Sequence, residues 1–140
     1  MNSWMFYALL SATAAGATAV LAKVGVQGVP SNLATAVRTA VVLVFAWGIV
    51  LARNESSGLR DLKARTLVFL LLSGVATGLS WLAYFKALQL APASRVAAID
   101  KLSLPITVIL AWLALGEPVS LRLWMGISLM VAGAALTVGS

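Results

Sequence analysis

Residues 95–117 read RVAAIDKLSLPITVILAWLALGE. The stretch is apolar almost throughout and long enough to cross a bilayer. Within it stand a carboxylate and an amine side by side, Asp100 and Lys101, followed by Pro105. A helical proline donates no backbone hydrogen bond, and its ring crowds the carbonyl four residues back. That carbonyl belongs to Lys101. The helix is therefore expected to bend, and to free an acceptor, where it carries charge. An ionisable side chain at a membrane helix centre costs ~2.5–3.5 kcal/mol on insertion scales, so such groups face a protein interior or a wet cavity. Asp100 and Lys101 then have two readings. They form an ion pair that fixes helix packing, or they belong to a transport pathway.

The rest of the chain agrees with a membrane setting. Its 140 residues are 61% hydrophobic and only 10% charged, whereas soluble domains carry about 25% charged residues. Such a chain leaves too much apolar surface for a water-soluble core, so residues 1–140 read as one all-α integral membrane domain. The net charge of +6 comes from cations concentrated at the ends of apolar runs. That is a topology signal and does not point to nucleic acid. With no Cys and no His, zinc sites of those ligands, thiol catalysis and a histidine proton relay are excluded. No metal or cofactor is expected.

Five spanning helices are expected, at about 4–22, 33–52, 66–85, 95–115 and 121–138. The first has no basic residue before it, unlike a signal peptide, although its Ala-rich centre offers cleavage-like sites. Lys23 closes it at a helix end that suits a cation. Gly25, Gly28 and Pro30 make a turn, with Ser31 or Asn32 as N-cap of the second helix. Arg38 lies inside that second helix, either snorkelling to the interface or embedded. Residues 53–65, RNESSGLRDLKAR, read as a solvated loop that sets orientation. The third helix carries Gly74 and Gly78 as a GxxxG surface for close helix packing. Trp81, Tyr84 and Phe85 follow, as interface anchors or as a cavity wall. Gly116 is a C-cap, and Pro118 ends the fourth helix.

Odd spans put the two ends of the chain on opposite sides. One side holds Arg53, Arg60, Lys63, Arg65 and Arg122; the other holds Lys23, Lys86 and Arg95. The positive-inside rule places the N-terminus in the cytoplasm, by a bias small enough to permit insertion both ways. Arg38, Trp81 and Asp100 each lie about five residues from the same edge, so all three fall at one depth at ~1.5 Å per residue. Arg38 and Asp100 are candidates to pair there. With Lys101, the embedded set is net positive and favours an anionic or zwitterionic ligand.

Three stretches now stand out: PSNLATAVRTAVVLVFAW (30–47), ALQLAPASRVAAIDKLSLPITVILAWLALGEPVS (87–120) and WMGISLMVAGAALTV (124–138). In order and spacing they resemble the EamA family of drug/metabolite transporters, and more narrowly its small five-helix bacterial members. Arg38, the turn at 87–94 and Gly116-Glu117 carry the likeness. The resemblance implies a transporter of small metabolites or drugs. Most relatives hold two inverted five-helix halves around a central cavity, whereas this chain has one half. That implies an antiparallel homodimer, with the dual topology that a weak charge bias permits.

The reading is thus an inner-membrane transporter working by alternating access. Arg38, Asp100, Lys101, Trp81 and Tyr84 are its substrate-binding or coupling residues, and Pro105 its hinge. Asp100 is the expected coupling or gating carboxylate, and Lys101 a ligand or proton-linked group. A lipid-linked metabolite flippase is one rival. A non-transporting subunit that packs against another membrane protein is the other. An enzyme is not expected: Asp100 and Glu117 are over ~20 Å apart along a helix, beyond the ~5–9.5 Å of paired catalytic carboxylates.

Overall fold

The computed structural model describes residues 3–138. Six α-helices run α1 (Ser3–Gly25), α2 (Ser31–Ala52), α3 (Ala64–Leu90), α4 (Ala93–Asp100), α5 (Ser103–Leu115) and α6 (Leu121–Val138). A 3₁₀ helix, Glu55–Asp61, lies between α2 and α3. No strand occurs among the described residues. Taken as one segment, 93–115 joins α1, α2, α3 and α6 as the fifth stretch long and apolar enough to cross a membrane. The chain is a multi-pass, all-α membrane protein.

Its contacts divide into two units, residues 21–90 and residues 1–20 with 91–140. In the first, α2 and α3 form a hairpin, and the last turn of α1 lies against the end of α3. Buried here are Ala22, Val26, Ser31, Thr35, Phe85 and Leu88, with Leu88 and Val26 the most enclosed. Thr35 Oγ1 donates to the Ser31 carbonyl at 2.9 Å, and Thr39 Oγ1 to that of Thr35 at 2.8 Å. These back-bonds satisfy the hydroxyls without any partner from another helix.

In the second unit, α4 and α5 each pack on α6. Ile127 and Ala134 are buried on α6, as is Val96 on α4. Two helical turns separate Ile127 from Ala134, which puts them on one face. Most large apolar side chains stay exposed, among them Val44, Leu113 and Leu136. In lipid this costs little, because acyl chains are as apolar as leucine and burial has no hydrophobic driving force.

Beyond shifts of one to three residues at helix ends, with α1 running past Lys23 to Gly25, five differences from the sequence reading stand out. First, the fourth span is disturbed at the charged pair, as expected, but breaks instead of merely bending: Lys101 and Leu102 form a turn between α4 and α5. Pro105 sits at the third position of α5, where a missing N–H costs no ordinary helix bond. The Lys101 carbonyl is not left free, because the Leu104 N–H donates to it at 3.0 Å. The chain tightens to an i→i+3 bond where proline forbids i→i+4.

Second, α3 runs past Phe85 and Lys86 to Leu90, and Pro92 rather than the cation accounts for its end. Third, Pro30, not Ser31 or Asn32, is the N-cap of α2, its carbonyl accepting from Ala34 N–H at 3.0 Å. Fourth, the loop 53–65 contains the 3₁₀ helix. Fifth, Ser120, which the reading passed over, caps α6: its Oγ accepts from Leu123 N–H at 3.2 Å. Gly116 behaves as expected, with φ +67° and ψ +22°, and Glu117 N–H donates to the Ala111 carbonyl.

Candidate functional site

Arg38 is half-buried on α2. Its guanidinium carbon lies 4.2 Å from the Trp81 ring centroid and 5.4 Å from that of Phe85. Trp81 and Phe85 are four apart on α3, so one face of that helix presents both rings. The spacing that suggested interface anchors or a cavity wall here makes a seat for a cation. Ring faces are negative, and a guanidinium over them gains about 0.5–2 kcal/mol, more as water is excluded. Neither carboxylate of the same unit serves as counter-ion: Glu55 pairs with Arg53 at 3.9 Å, and Asp61 makes no ion pair with Arg38. With its charge met by rings and not by a carboxylate, the guanidinium keeps an N–H fork that can grip carboxylate or phosphate. Buried Thr35 and exposed Thr39 lie at −3 and +1 from Arg38 on the same helix. Tyr84 is half-buried beside Phe85 in sequence.

At the far end of the hairpin, two polar side chains tie α1 to α3. Lys23 Nζ donates to the Leu88 carbonyl at 2.6 Å. In a continuing helix that carbonyl would accept from residue 92, which is Pro92 and has no N–H. Lys23 fills the gap proline leaves. Gln89 Nε2 in turn donates to the Val29 carbonyl at 2.6 Å, in the loop after α1. A recess of about 170 Å³ opens here, lined by Lys23, Val26, Gln27, Gly28, Leu88 and Gln89. The sequence reading gave Lys23 to the interface and passed over Gln89. The signal present was Pro92, four residues after a carbonyl that needed a donor.

In the other unit, Asp100 and Lys101 close α4. Asp100 Oδ2 and Lys101 Nζ are 4.0 Å apart, with side chains 42% and 56% exposed in the isolated chain. Adjacent positions point ~100° apart on a continuous helix; the turn at Lys101 is where the chain leaves that geometry. Arg38 and Asp100 each have a partner within their own unit, the rings for one and Lys101 for the other. A Cβ built on Gly74 or Gly78 meets nothing within 4 Å, so the face they form is open in the single chain. Among the described residues no group of three or more Asp or Glu side chains is placed to hold a metal.

Five apolar spans, with a cation on aromatic faces in one and an ion pair at a break in another, define a multi-pass membrane protein with charge set within its spans. The chain belongs to the EamA-like transporter family, whose model matches residues 2–139. It is similar to an uncharacterized transporter encoded in the cobO 3' region of a Sinorhizobium species. The two are 49% identical over 135 residues, covering 96% of each chain. No solved structure matches. The protein is accordingly a membrane transporter, and its class implies a small-molecule substrate.

Proposed function

We propose that this chain is half of an alternating-access transporter of the inner membrane. Two copies, inverted relative to each other, move a small anionic or zwitterionic metabolite or drug through a central cavity lined by charged side chains. Arg38 grips the substrate's anionic group, with Trp81 and Tyr84 as aromatic wall. Asp100 and Lys101 form the coupling pair, and the α4–α5 break before Pro105 is the hinge. The protein carries out no chemical step on its cargo.

One observation carries this reading. The Arg38 guanidinium rests on Trp81 and Phe85 and has no carboxylate counter-ion in its unit. A cation in lipid needs compensation, and aromatic rings, which accept no ion pair, leave its N–H donors for an acceptor that arrives with the substrate. The family supports transport, and the match over 96% of the Sinorhizobium relative supports a five-span unit. An inverted pair needs insertion in both orientations, which the five-to-three division of flanking cations allows.

The test is uptake by purified protein in liposomes, with a panel of labelled organic anions, zwitterions and quaternary cations. Anion or zwitterion uptake that Arg38→Gln abolishes and Arg38→Lys restores only in part is the expected result. Strict preference for quaternary cations overturns the substrate class. No movement of any panel member, with capture of a different membrane protein on the Gly74–Gly78 face, indicates a non-transporting subunit instead.

A further inference from the structure

The segment between α2 and α3 is built differently from a solvated connection. After α2, the Arg53 N–H closes on the Ile49 carbonyl at 3.0 Å. Asn54 then adopts the left-handed conformation, φ +55° and ψ +31°, which asparagine tolerates better than most residues. This reversal starts the 3₁₀ helix Glu55–Asp61 in contact with the end of α2. The segment therefore lies at the level of the helix ends. In a bilayer that is the headgroup layer.

Its side chains suit that layer. Leu59 and Leu62 are 52% and 39% exposed, although they lie outside every span. Each is followed directly by a cation, Arg60 and Lys63. Glu55 pairs with Arg53, and among the described residues no carboxylate pairs with Arg60, Lys63 or Arg65. Arg65 stands in the first turn of α3, which has no acidic residue. That is the positive end of the helix dipole, where an anion is favoured and a cation is not. The Phe69 ring, 5.9 Å from its guanidinium carbon, compensates weakly at that distance.

We infer that residues 55–65 are an interfacial docking element for anionic phospholipid: Leu59 and Leu62 enter the boundary between headgroups and acyl chains, while Arg60, Lys63 and Arg65 take lipid phosphates. Apolar insertion and headgroup attraction reinforce each other, as in interfacial helices. The inference does not depend on the substrate or mechanism proposed above.

The absence of cysteine from the chain makes a single-site probe clean. Ser57→Cys, labelled with an environment-sensitive fluorophore, leaves both leucines and all cations in place. The full chain is reconstituted in phosphatidylcholine vesicles, or in the same vesicles with phosphatidylglycerol added, each doped with lipid spin-labelled at headgroup level. With phosphatidylglycerol, the emission shifts to the blue and is quenched; raised salt reverses part of the change. Each neutralisation in the series Arg60→Gln, Lys63→Gln, Arg65→Gln lowers the docked-to-undocked ratio about fivefold. Arg60→Lys retains docking, and Leu59→Ser with Leu62→Ser loses it. Water-like emission in both vesicle types overturns the proposal. So does quenching that ignores lipid charge and the three neutralisations, since the leucines alone would then hold the segment down.

Discussion

The Arg38 guanidinium carbon stands 4.2 Å above the ring of Trp81, 43 positions further along the chain. This contact joins the two helices of the 21–90 unit through a charge. Trp81→Ala removes a ring worth about 0.5–2 kcal/mol to the cation. Apparent affinity for anionic substrate is then expected to fall roughly two- to thirtyfold in liposome uptake. Trp81→Phe, which keeps a smaller ring face, loses less. Equal effects of the two substitutions would show that the indole volume matters and its face does not.

Lys23 and Pro92 act on the same carbonyl, one by donating to it and the other by failing to. Lys23→Met is expected to cost about 1.5–3 kcal/mol, the range for a hydrogen bond from a charged group. In a Pro92→Ala background the new backbone N–H can reach the Leu88 carbonyl, so the cost of Lys23→Met should shrink. Thermal unfolding of the four proteins in detergent forms a double-mutant cycle. Strict additivity would mean that Lys23 and Pro92 do not share an acceptor.

Pro105→Ala restores an N–H that can bond the Lys101 carbonyl, in competition with Leu104. We expect α4 and α5 to merge, with the turn at Lys101–Leu102 lost. Spin labels at Val96→Cys and Leu110→Cys measure this directly: the distance between them should lengthen and its distribution narrow. If the break is the hinge, uptake slows in the same variant while protein abundance holds. An unchanged distance would place the cause of the break elsewhere than proline.

Gly74 and Gly78 have open space where a side chain would begin. Gly74→Ala should therefore not clash within the chain, and it removes the helix penalty of glycine, about 0.8–1.0 kcal/mol. Gly74→Ile or Gly78→Ile tests a second copy instead. If copies cross closely on this face, the bulky side chain abolishes cross-linking between single cysteines at Val75, while the monomer stays folded. Cross-linking that survives both isoleucines would move the contact to another face.

Orientation is measured with reporters at the C-terminal end that are active on opposite sides of the membrane. The flanking cations divide five to three, and signal from both sides is expected. Adding two lysines near Gly28, on the weaker side, levels the count and should leave signal on both sides. Adding them at Ser56 and Ser57 should collapse signal to one side. Signal from one side alone in the native chain would rule out the inverted pair.

Much of the fold was legible residue by residue. Gly116 with Pro118 marked a helix end that the structure confirms to the residue, because a left-handed cap is a local event. The start of α6 at Leu121 also matches. The end of α3 did not: Lys86 read as a boundary, but a helix continues through a cation unless backbone chemistry stops it. The fourth span was half legible. Proline placed a disturbance at the charged pair, where the break falls, but the Lys101 carbonyl expected to be freed accepts from Leu104 instead. The site was less legible still. Arg38 and Trp81 were each singled out, but only depth linked them, and depth leaves rotation about the helix axis open.

The sequence by itself determined the number of spans, the all-α class and the family. Apolar run length, turn residues and motif order are properties of neighbouring positions, and lipid allows few other solutions. Only the tertiary structure decided who touches whom: Lys23 with the carbonyl of Leu88, and Arg38 with two rings on α3. Those choices depend on how each helix is turned about its axis, and the weak amphipathicity of a lipid-facing helix leaves that turn unspecified until its neighbours are in place.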